Sequence, residues 1–388
     1  MIRYYIWLQQ ALGAGNNRFA KAIEHFGSPE AIFKADETDR IKSGVFTKKD
    51  LLGLNSETIV DALEIISKCR EEGIEIIPYG SKKYPTCLSV ISNPPIVLYV
   101  KGKMPDFDTT PAVTIVGPRK VSEFGKKAAF SLGYRLAASG ITVVSGGAVG
   151  ADTYAHAGAL KTGGKTVLCL ACGICSDYLP ENKKLREAVA NSGCLITEYP
   201  PEWQVSKYNF PVRNRIMSAL GLGTVVIEAG VRSGSLITAR HALEQGRDVF
   251  VIPGSPSDKK YSGSNALLRD GAKPILDASD IFNEYIPLFP DKINIEKAYE
   301  KPIIEPKTEI KNEEKSEIEE KNENFEKNSL KTLSKEAKIV YNYLDKQIFF
   351  PEEIAVPDLD SNELLSALTE LEMEFLIKAL PGGRYQKI

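Results

Sequence analysis

The chain has 388 residues, with 49 Lys and Arg against 51 Asp and Glu, a net charge of −2, 43% hydrophobic residues and 26% charged ones. This is the balance of a globular protein long enough for two or three domains, and it excludes both a disordered polyelectrolyte and a surface that is basic throughout. Any site for a polyanion must be a local gathering of cations.

The opening Met1-Ile-Arg-Tyr-Tyr-Ile-Trp-Leu-Gln-Gln holds one cation and a brief apolar run, too short for a signal-peptide core or a membrane span. A cytoplasmic protein with no membrane partner is expected, its six cysteines kept as thiols. Residues 1–70 read as short helices: Leu12-Gly-Ala-Gly-Asn-Asn-Arg-Phe-Ala separates two of them, and Ile23, Phe26 and Ile32 keep helical spacing. That pattern predicts a helical domain of the SAM or helix–hairpin–helix kind. Such a hairpin can turn backbone N–H groups toward a DNA phosphate, and the same pattern serves bundles that only pack.

Over residues 71–290, short β-branched runs alternate with longer amphipathic stretches, which predicts an α/β fold: an extended Rossmann-like core with a parallel or mixed sheet. Its expected strands are Ala112–Val116, Ile141–Val144, Thr166–Leu170, Cys194–Thr197, Thr224–Ile227 and Val249–Ile252. Residues 291–331 turn to Lys, Glu and Asn without glycine, the composition of a charged flexible linker. Residues 332–388 return to helical periodicity at Ala337-Lys-Ile-Val-Tyr-Asn-Tyr-Leu and end in two strand-like runs around Gly382-Gly383, predicting a winged-helix-like domain. Its acidic Glu363, Glu370, Glu372 and Glu374 stand where a basic recognition helix is needed for duplex DNA, which favours contact with protein.

Cys169, Cys172 and Cys175, with Cys194 further on, have a spacing that could feed a metal or iron–sulfur site. The run Thr166-Val-Leu-Cys-Leu instead reads as a buried strand in which cysteine is a small apolar residue, and no metal or cofactor is expected.

The chemistry lies in the strand-to-helix turns. Ala112-Val-Thr-Ile-Val-Gly117 runs into Pro118-Arg119-Lys120 and a helix opened by Ser122. A helix N-terminus with an adjacent arginine favours an anion, although an ordinary turn with a surface arginine has the same sequence. It is not the Gly-x-Gly-x-x-Gly dinucleotide pattern. Ser145-Gly146-Gly-Ala-Val-Gly-Ala-Asp152-Thr-Tyr-Ala-His156 forms a second turn of small residues. Asp152 and His156, four apart, could be an acid–base pair or a structural cap and a packing histidine. Lys207-Tyr-Asn-Phe210-Pro-Val-Arg213-Asn214-Arg215 interleaves cations with aromatic rings, the way single strands are held by phosphate charge and base stacking. Ser233-Gly234-Ser235 opens another helix with hydroxyls, and Pro253-Gly254 with Gly263-Ser-Asn265 supplies a last turn on the same, carboxyl edge of the sheet.

In order along the chain, Gly117-Pro-Arg119, Ser145-Gly…Asp152…Ala155-His156, Thr197-Glu-Tyr-Pro200, Phe210-Pro-x-Arg-Asn-Arg215, Ser233-Gly-Ser-Leu-Ile-Thr238 and Pro253-Gly254 before Gly263-Ser-Asn265 resemble the motifs of the bacterial DNA-processing protein A (DprA or Smf) family. The resemblance covers nearly the whole chain. It implies a core that binds and protects single-stranded DNA, dimerises with a second copy, and loads the recombinase RecA during natural transformation, without catalysis. By matching motifs it places DNA contact on Arg119, Lys207 and Phe210, supported by Arg213, Asn214 and Arg215. Gly117, Lys120, Ser145, Gly146, Ser233, Gly234, Ser235 and Asn265 complete the expected DNA-binding set. Pro118 departs from the small residue usual there and removes one N–H donor. The competing reading is a nucleotide hydrolase of the phosphoribohydrolase type, with Glu228 and Asp152 supplying carboxylate and acid.

Overall fold

The computed structural model describes residues 1–300 and, toward the C-terminus, 333–344, 348–349, 364, 366–368, 370–371, 376–380 and 384–387. The chain divides into two compact units, Met1–Glu305 and Pro306–Ile388.

The first unit opens with six helices: α1 (Ile2–Leu12), α2 (Phe19–Phe26), α3 (Pro29–Lys34), α4 (Glu37–Lys42), α5 (Lys48–Ser56) and α6 (Ile59–Glu71). Their starts are written in side chains. Ser28 and Asp36 cap α3 and α4, and Thr47 with Asp50 and Thr58 with Asp61 form full capping boxes for α5 and α6. Ile6, Trp7, Leu8 and Leu12 of α1 bury against Phe19, Ile32 and Leu54.

Then follow β1 (Glu75–Pro78), α7 (Thr86–Ser89), β2 (Val97–Gly102), β3 (Ala112–Val116), α8 (Glu123–Ala138), β4 (Thr142–Ser145), α9 (Ala151–Lys161), β5 (Thr166–Cys169), α10 (Lys183–Ser192), β6 (Cys194–Thr197), α11 (Asn209–Leu220), β7 (Gly223–Val226), α12 (Ser235–Glu244), β8 (Asp248–Val251), α13 (Ser262–Arg269), β9 (Lys273–Pro274), α14 (Ser279–Tyr285) and α15 (Ile295–Tyr299). The strands form one nine-stranded sheet in the order β1-β2-β6-β5-β4-β3-β7-β8-β9. From β6 to β9 every pairing is parallel, while β2 joins β6, and β1 joins β2, antiparallel. The α/β expectation with a mixed sheet therefore stands, and each of the six predicted strands lies within a residue of an observed one.

Alternation along the strands sorts the core into two layers. Ala112 and Val116 of β3 face Ile216, Met217 and Leu220 of α11 and Ala239 and Ala242 of α12. Val113 and Ile115 face Leu132 and Leu136 of α8, Ala155 and Ala159 of α9, and Phe282 of α14. A polar residue inside strand β3 is also accommodated: the buried Thr114 hydroxyl donates to the Met217 carbonyl at 2.7 Å. Helices α8 and α9 meet at backbone distance. A Cβ on Gly158 would lie 2.1 Å from the Phe130 carbonyl oxygen, so the crossing needs glycine.

The linker expectation is corrected at its N-terminal end. Within 291–300, Ile293 and Ala298 are buried, the Asn294 N–H donates to the Ser139 carbonyl at 2.9 Å, and Arg135 lies 4.2 Å from the Tyr299 ring centroid. One face of α15, read from composition as solvated, is apolar enough to dock on α8. Residues 301–332 lie outside the described residues.

In the second unit, α16 (Lys335–Tyr343) packs Ala337, Val340 and Tyr341 with Leu368, Leu371, Leu376 and Ile377. Strands β10 (Ile348–Phe349), β11 (Ile377–Leu380) and β12 (Arg384–Lys387) form an antiparallel sheet in the order β10-β12-β11. Glu370 accepts the Ser334 N–H at 2.8 Å and its hydroxyl at 2.6 Å, bonds that hold its carboxyl below the usual range. Glu363, Glu372 and Glu374 lie outside the described residues. No helix among the described residues is long and apolar enough to cross a membrane.

Gly158→Val should part α8 from α9, because the new side chain meets backbone that cannot rotate away. Overpacking of this kind costs about 1–3 kcal/mol. A thermal midpoint lowered by roughly 3 °C or more is expected in a melting experiment.

Candidate nucleic-acid interface

The parallel strands all end on one edge, and the chain order reverses at β3. From there β4, β5 and β6 run out to one side and β7, β8 and β9 to the other. The loops after β3 and β7 thus diverge at a switch point, where open α/β sheets form their crevice.

Three buried carboxylates organise this edge. Glu228, just after β7, receives the Ser122 hydroxyl and, at 3.3 Å, the Ser122 N–H, tying the end of β7 to the start of α8. Ser122 in turn caps α8 through the Gly125 N–H at 3.0 Å. Asp152, in the first turn of α9, accepts the Ala148 N–H at 3.3 Å and closes the turn after β4. Burial raises its pKa, with the nearby Arg213 opposing. Glu198, just after β6, pairs with Arg215 at 2.5 Å, both side chains being 2% exposed, and accepts the Gly15 N–H at 3.2 Å. Burial pushes the Glu198 carboxyl up while Arg215 pulls it down.

These bonds decide which expected contacts are available. The Gly13–Gly15 hairpin turns the Gly15 N–H toward Glu198, an internal carboxylate, where a phosphate was one of the two readings. Gln9 of α1 reinforces the join: its amide donates to the carbonyls of Val97 at 3.0 Å and Glu198 at 2.7 Å, and it accepts the Tyr99 hydroxyl at 3.1 Å.

Several side chains expected at DNA are turned inward. Arg213 donates to the Gly146 carbonyl at 2.9 Å and to the Cys169 carbonyl, clamping the turns after β4 and β5. Asn214 is buried beneath it and accepts from Arg213 at 3.2 Å. Arg215 is held by Glu198, and its Nε and Nη1 have no partner among the described residues. The Ser145 hydroxyl donates to the Ile115 carbonyl at 2.6 Å. Ser235 is buried, its hydroxyl 2.7 Å from that of Ser233. Asn265 bridges Gly254, donating to its carbonyl at 3.1 Å and accepting its N–H at 3.3 Å. For the three α11 residues the reason is enclosure: from Arg213 to Leu220 every residue of the helix is buried, so Arg213, Asn214 and Arg215 are held inside on different sides of it.

What remains outward is compact. Arg119 and Lys120 are exposed after β3, on a loop whose backbone is seated by the Ala151 N–H donating to the Pro118 carbonyl at 3.2 Å. Pro118 thus takes part as an acceptor, where its missing N–H was the expected concern. The Arg119 guanidinium lies 5.2 Å from the Phe210 ring centroid and donates to the Tyr178 hydroxyl at 3.3 Å, and the Tyr178 and Phe210 rings meet at 5.7 Å. Tyr178 was not foreseen; its loop offered no cation–aromatic pattern. Lys207 is exposed, 5.2 Å from the Tyr208 ring. Gly117, Gly146 and Ser233 are half-buried and Gly234 is exposed at the start of α12.

The other candidate chemistries resolve into structure. His156 is buried, and its Nδ1 lies 2.7 Å from the Thr166 hydroxyl, which itself donates to the Val143 carbonyl at 2.8 Å, so Nδ1 carries the proton. Burial drops its pKa to about 3. Asp152 faces the Ala148 N–H instead, so the four-residue spacing does not make an acid–base pair. Cys169 and Cys194 lie in one core cluster and Cys172 in another, the burial pushing the Cys169 thiol up to about 12, as suits small apolar residues.

An open, mostly parallel α/β sheet with cations and aromatic rings at its switch-point edge defines a protein of Rossmann-like architecture. Residues 75–286 match the family model for DNA recombination-mediator protein A, and the chain belongs to that family. It is 41% identical over 220 residues to DNA processing protein DprA of Bacillus subtilis, covering 57% of this chain and 74% of that one. The corresponding Streptococcus pneumoniae protein is 41% identical over 202 residues, covering 52% and 71%. The solved structure of DprA from S. pneumoniae superposes with a TM-score of 0.64 at 31% identity, covering 73% of this chain and 97% of that one. DNA processing protein A from Helicobacter pylori, solved for its unique single-stranded DNA binding mode, gives 0.50 at 28% identity, covering 55% and 96%.

Two outcomes follow for the buried groups. Arg215→Ala strands Glu198 in the interior and should cost about 3–5 kcal/mol in urea unfolding, part of it recovered by adding Glu198→Gln. His156 stays neutral in the folded chain down to about pH 3, while the unfolded chain protonates it near its ordinary value of about 6.5. Its contribution is therefore complete above that value and lost progressively as pH falls toward 3, by about 1.4 kcal/mol per pH unit. The urea midpoint of His156→Gln should fall less steeply than that of the parent between pH 6 and pH 4.

Proposed function

We propose that this chain binds single-stranded DNA at the carboxyl edge of its sheet, protects it, and loads the RecA recombinase onto it. The observation that carries this reading is the cluster of Arg119, Phe210 and Tyr178 with Lys207 beside it. Exposed cations follow a phosphate backbone and an aromatic face takes a base, a combination that is tolerant of sequence. The H. pylori relative with its single-stranded DNA binding mode supports the ligand, and the recombination-mediator family supports the transfer to RecA.

The protein works in the cytoplasm as a homodimer joined through its core, and the C-terminal unit acts as a winged-helix-like module that meets protein. No catalytic step belongs to this reading. Glu228 and Asp152, the carboxylates a nucleotide hydrolase would need, are engaged with Ser122 and with the backbone after β4. The Ser233–Gly234 turn and Lys120 extend the surface open to phosphate.

Arg119→Ala and Lys207→Ala should each weaken binding of a fluorescent thymine oligonucleotide and lower the slope of log affinity against log salt by about 0.7, one phosphate contact on a single strand. Phe210→Ala should cost about 1–3 kcal/mol of binding. Fluorescence anisotropy over a salt series reads both effects. Unchanged affinity in both cation variants places the site elsewhere. In the same preparations, RecA filament assembly on protein-coated single strands should slow.

A further inference from the structure

The loops following β5 and β6 are laced together at the carboxyl edge. The Gly173 N–H donates to the Trp203 carbonyl at 2.9 Å and the Cys175 N–H to the Pro201 carbonyl at 2.8 Å. They approach so closely that a Cβ on Gly173 would fall 2.1 Å from the Pro201 carbonyl oxygen. With the start of α11, the two loops carry five aromatic rings. Tyr178 and Phe210 belong to the Arg119 cluster. Tyr199, Trp203 and Tyr208 are left unused by the reading above.

Tyr199 is buried and stacks against Trp203 with centroids 6.1 Å apart and planes at 27°. Trp203 itself is 46% exposed, so one face is backed by a ring and the indole still presents a large surface to solvent. Tyr208 is 72% exposed, with the Lys207 ammonium 5.2 Å from its ring centroid. Large rings on a braced loop lose little conformational freedom when a partner stacks on them, which is the condition for a useful stacking surface. The charge of the acidic neighbour Glu202 is offset in part by Lys68 at 3.5 Å, a lysine it shares with Glu72.

We propose that Tyr208 and Trp203 form a second base-stacking station, so that a strand held at Arg119 and Phe210 continues past Lys207 and Tyr208 to Trp203. This rests on the single-strand reading above and extends its footprint. The station recognises the π-face of a base and not its edge, so any base serves and an abasic position does not.

The two tryptophans of the chain make this measurable. Trp7 is 1% exposed and donates to the Glu57 carbonyl at 3.0 Å, so it stays a constant background while Trp203 responds. The full-length protein is titrated with end-labelled thymine oligonucleotides of increasing length, with label anisotropy and tryptophan emission followed together. Short strands should bind without altering emission, longer ones should quench it, and Trp203→Phe should remove the quenching. Trp203→Ala and Tyr208→Ala should each weaken the longer strands about fivefold or more while leaving the short ones and the thermal midpoint unchanged. An abasic tract at the far end of the long strand should abolish the quenching in the parent. Tight binding of long strands with no quenching, and with equal affinity in both alanine variants, overturns the second station and leaves the binding reading standing. A change in sedimentation on Trp203→Ala with DNA affinity intact also overturns it, assigning the ring to protein contact. Anisotropy that stays flat at every length overturns the binding reading itself.

Discussion

The buried pair of Glu198 and Arg215 joins three parts of the first unit at one point. Through the Gly15 N–H and Gln9 it fastens the N-terminal helices to the end of β6, and through Arg215 it fixes α11 against that same point. Each partner alone would be a charge removed from water, so neither is tolerable without the other. Glu228 and Asp152 do related work at the ends of β7 and β4. The carboxyl edge is thus stiffened by internal anions, and the side chains that remain outward stand on loops with little freedom to rearrange.

That arrangement explains why a sheet edge rich in N–H groups does not present all of them to a ligand. The Ala148 and Gly15 donors and the start of α8 already face carboxylates of the chain itself. In the proposed reading, a polyanion meets side chains instead, Arg119, Lys120 and Lys207, and the rings beside them. A chain with a net charge of −2 can in this way offer a locally positive surface.

Much of the fold was legible because the parallel strands are continuous β-branched runs bounded by turn residues, a pattern that buried strands require. The strands β1 and β2 were passed over although Ile74-Glu-Ile-Ile and Ile96-Val-Leu-Tyr-Val carry strand-forming residues, because the prolines beside them, Pro78 and Pro94-Pro95, read as turns. At the site, Arg119 was visible as the cation of a strand-to-helix turn and Lys207 and Phe210 as a cation–aromatic run; the Arg119 guanidinium lies over the Phe210 ring, and Lys207 is exposed beside the Tyr208 ring. Arg213, Asn214 and Arg215 were grouped with them because adjacency in sequence was read as adjacency in space. The contrary information lay in the largely apolar Ile216-Met-Ser-Ala-Leu220 that follows directly, for a helix that is apolar on several sides is enclosed, and α11 is buried all round from Arg213 on. Tyr178 was illegible in principle: it reaches the site by tertiary lacing of loops, which leaves no local periodicity.

The accessible start of α11 and its enclosed remainder place residues two or three positions apart under unrelated physical demands. Changes in the enclosed part act through the amount of folded protein, whereas changes at the accessible start leave a protein present at normal abundance. A screen of variants scored on lost single-strand binding would return both kinds as one tight hotspot on the map, and immunoblots of the same variants would be needed to split it.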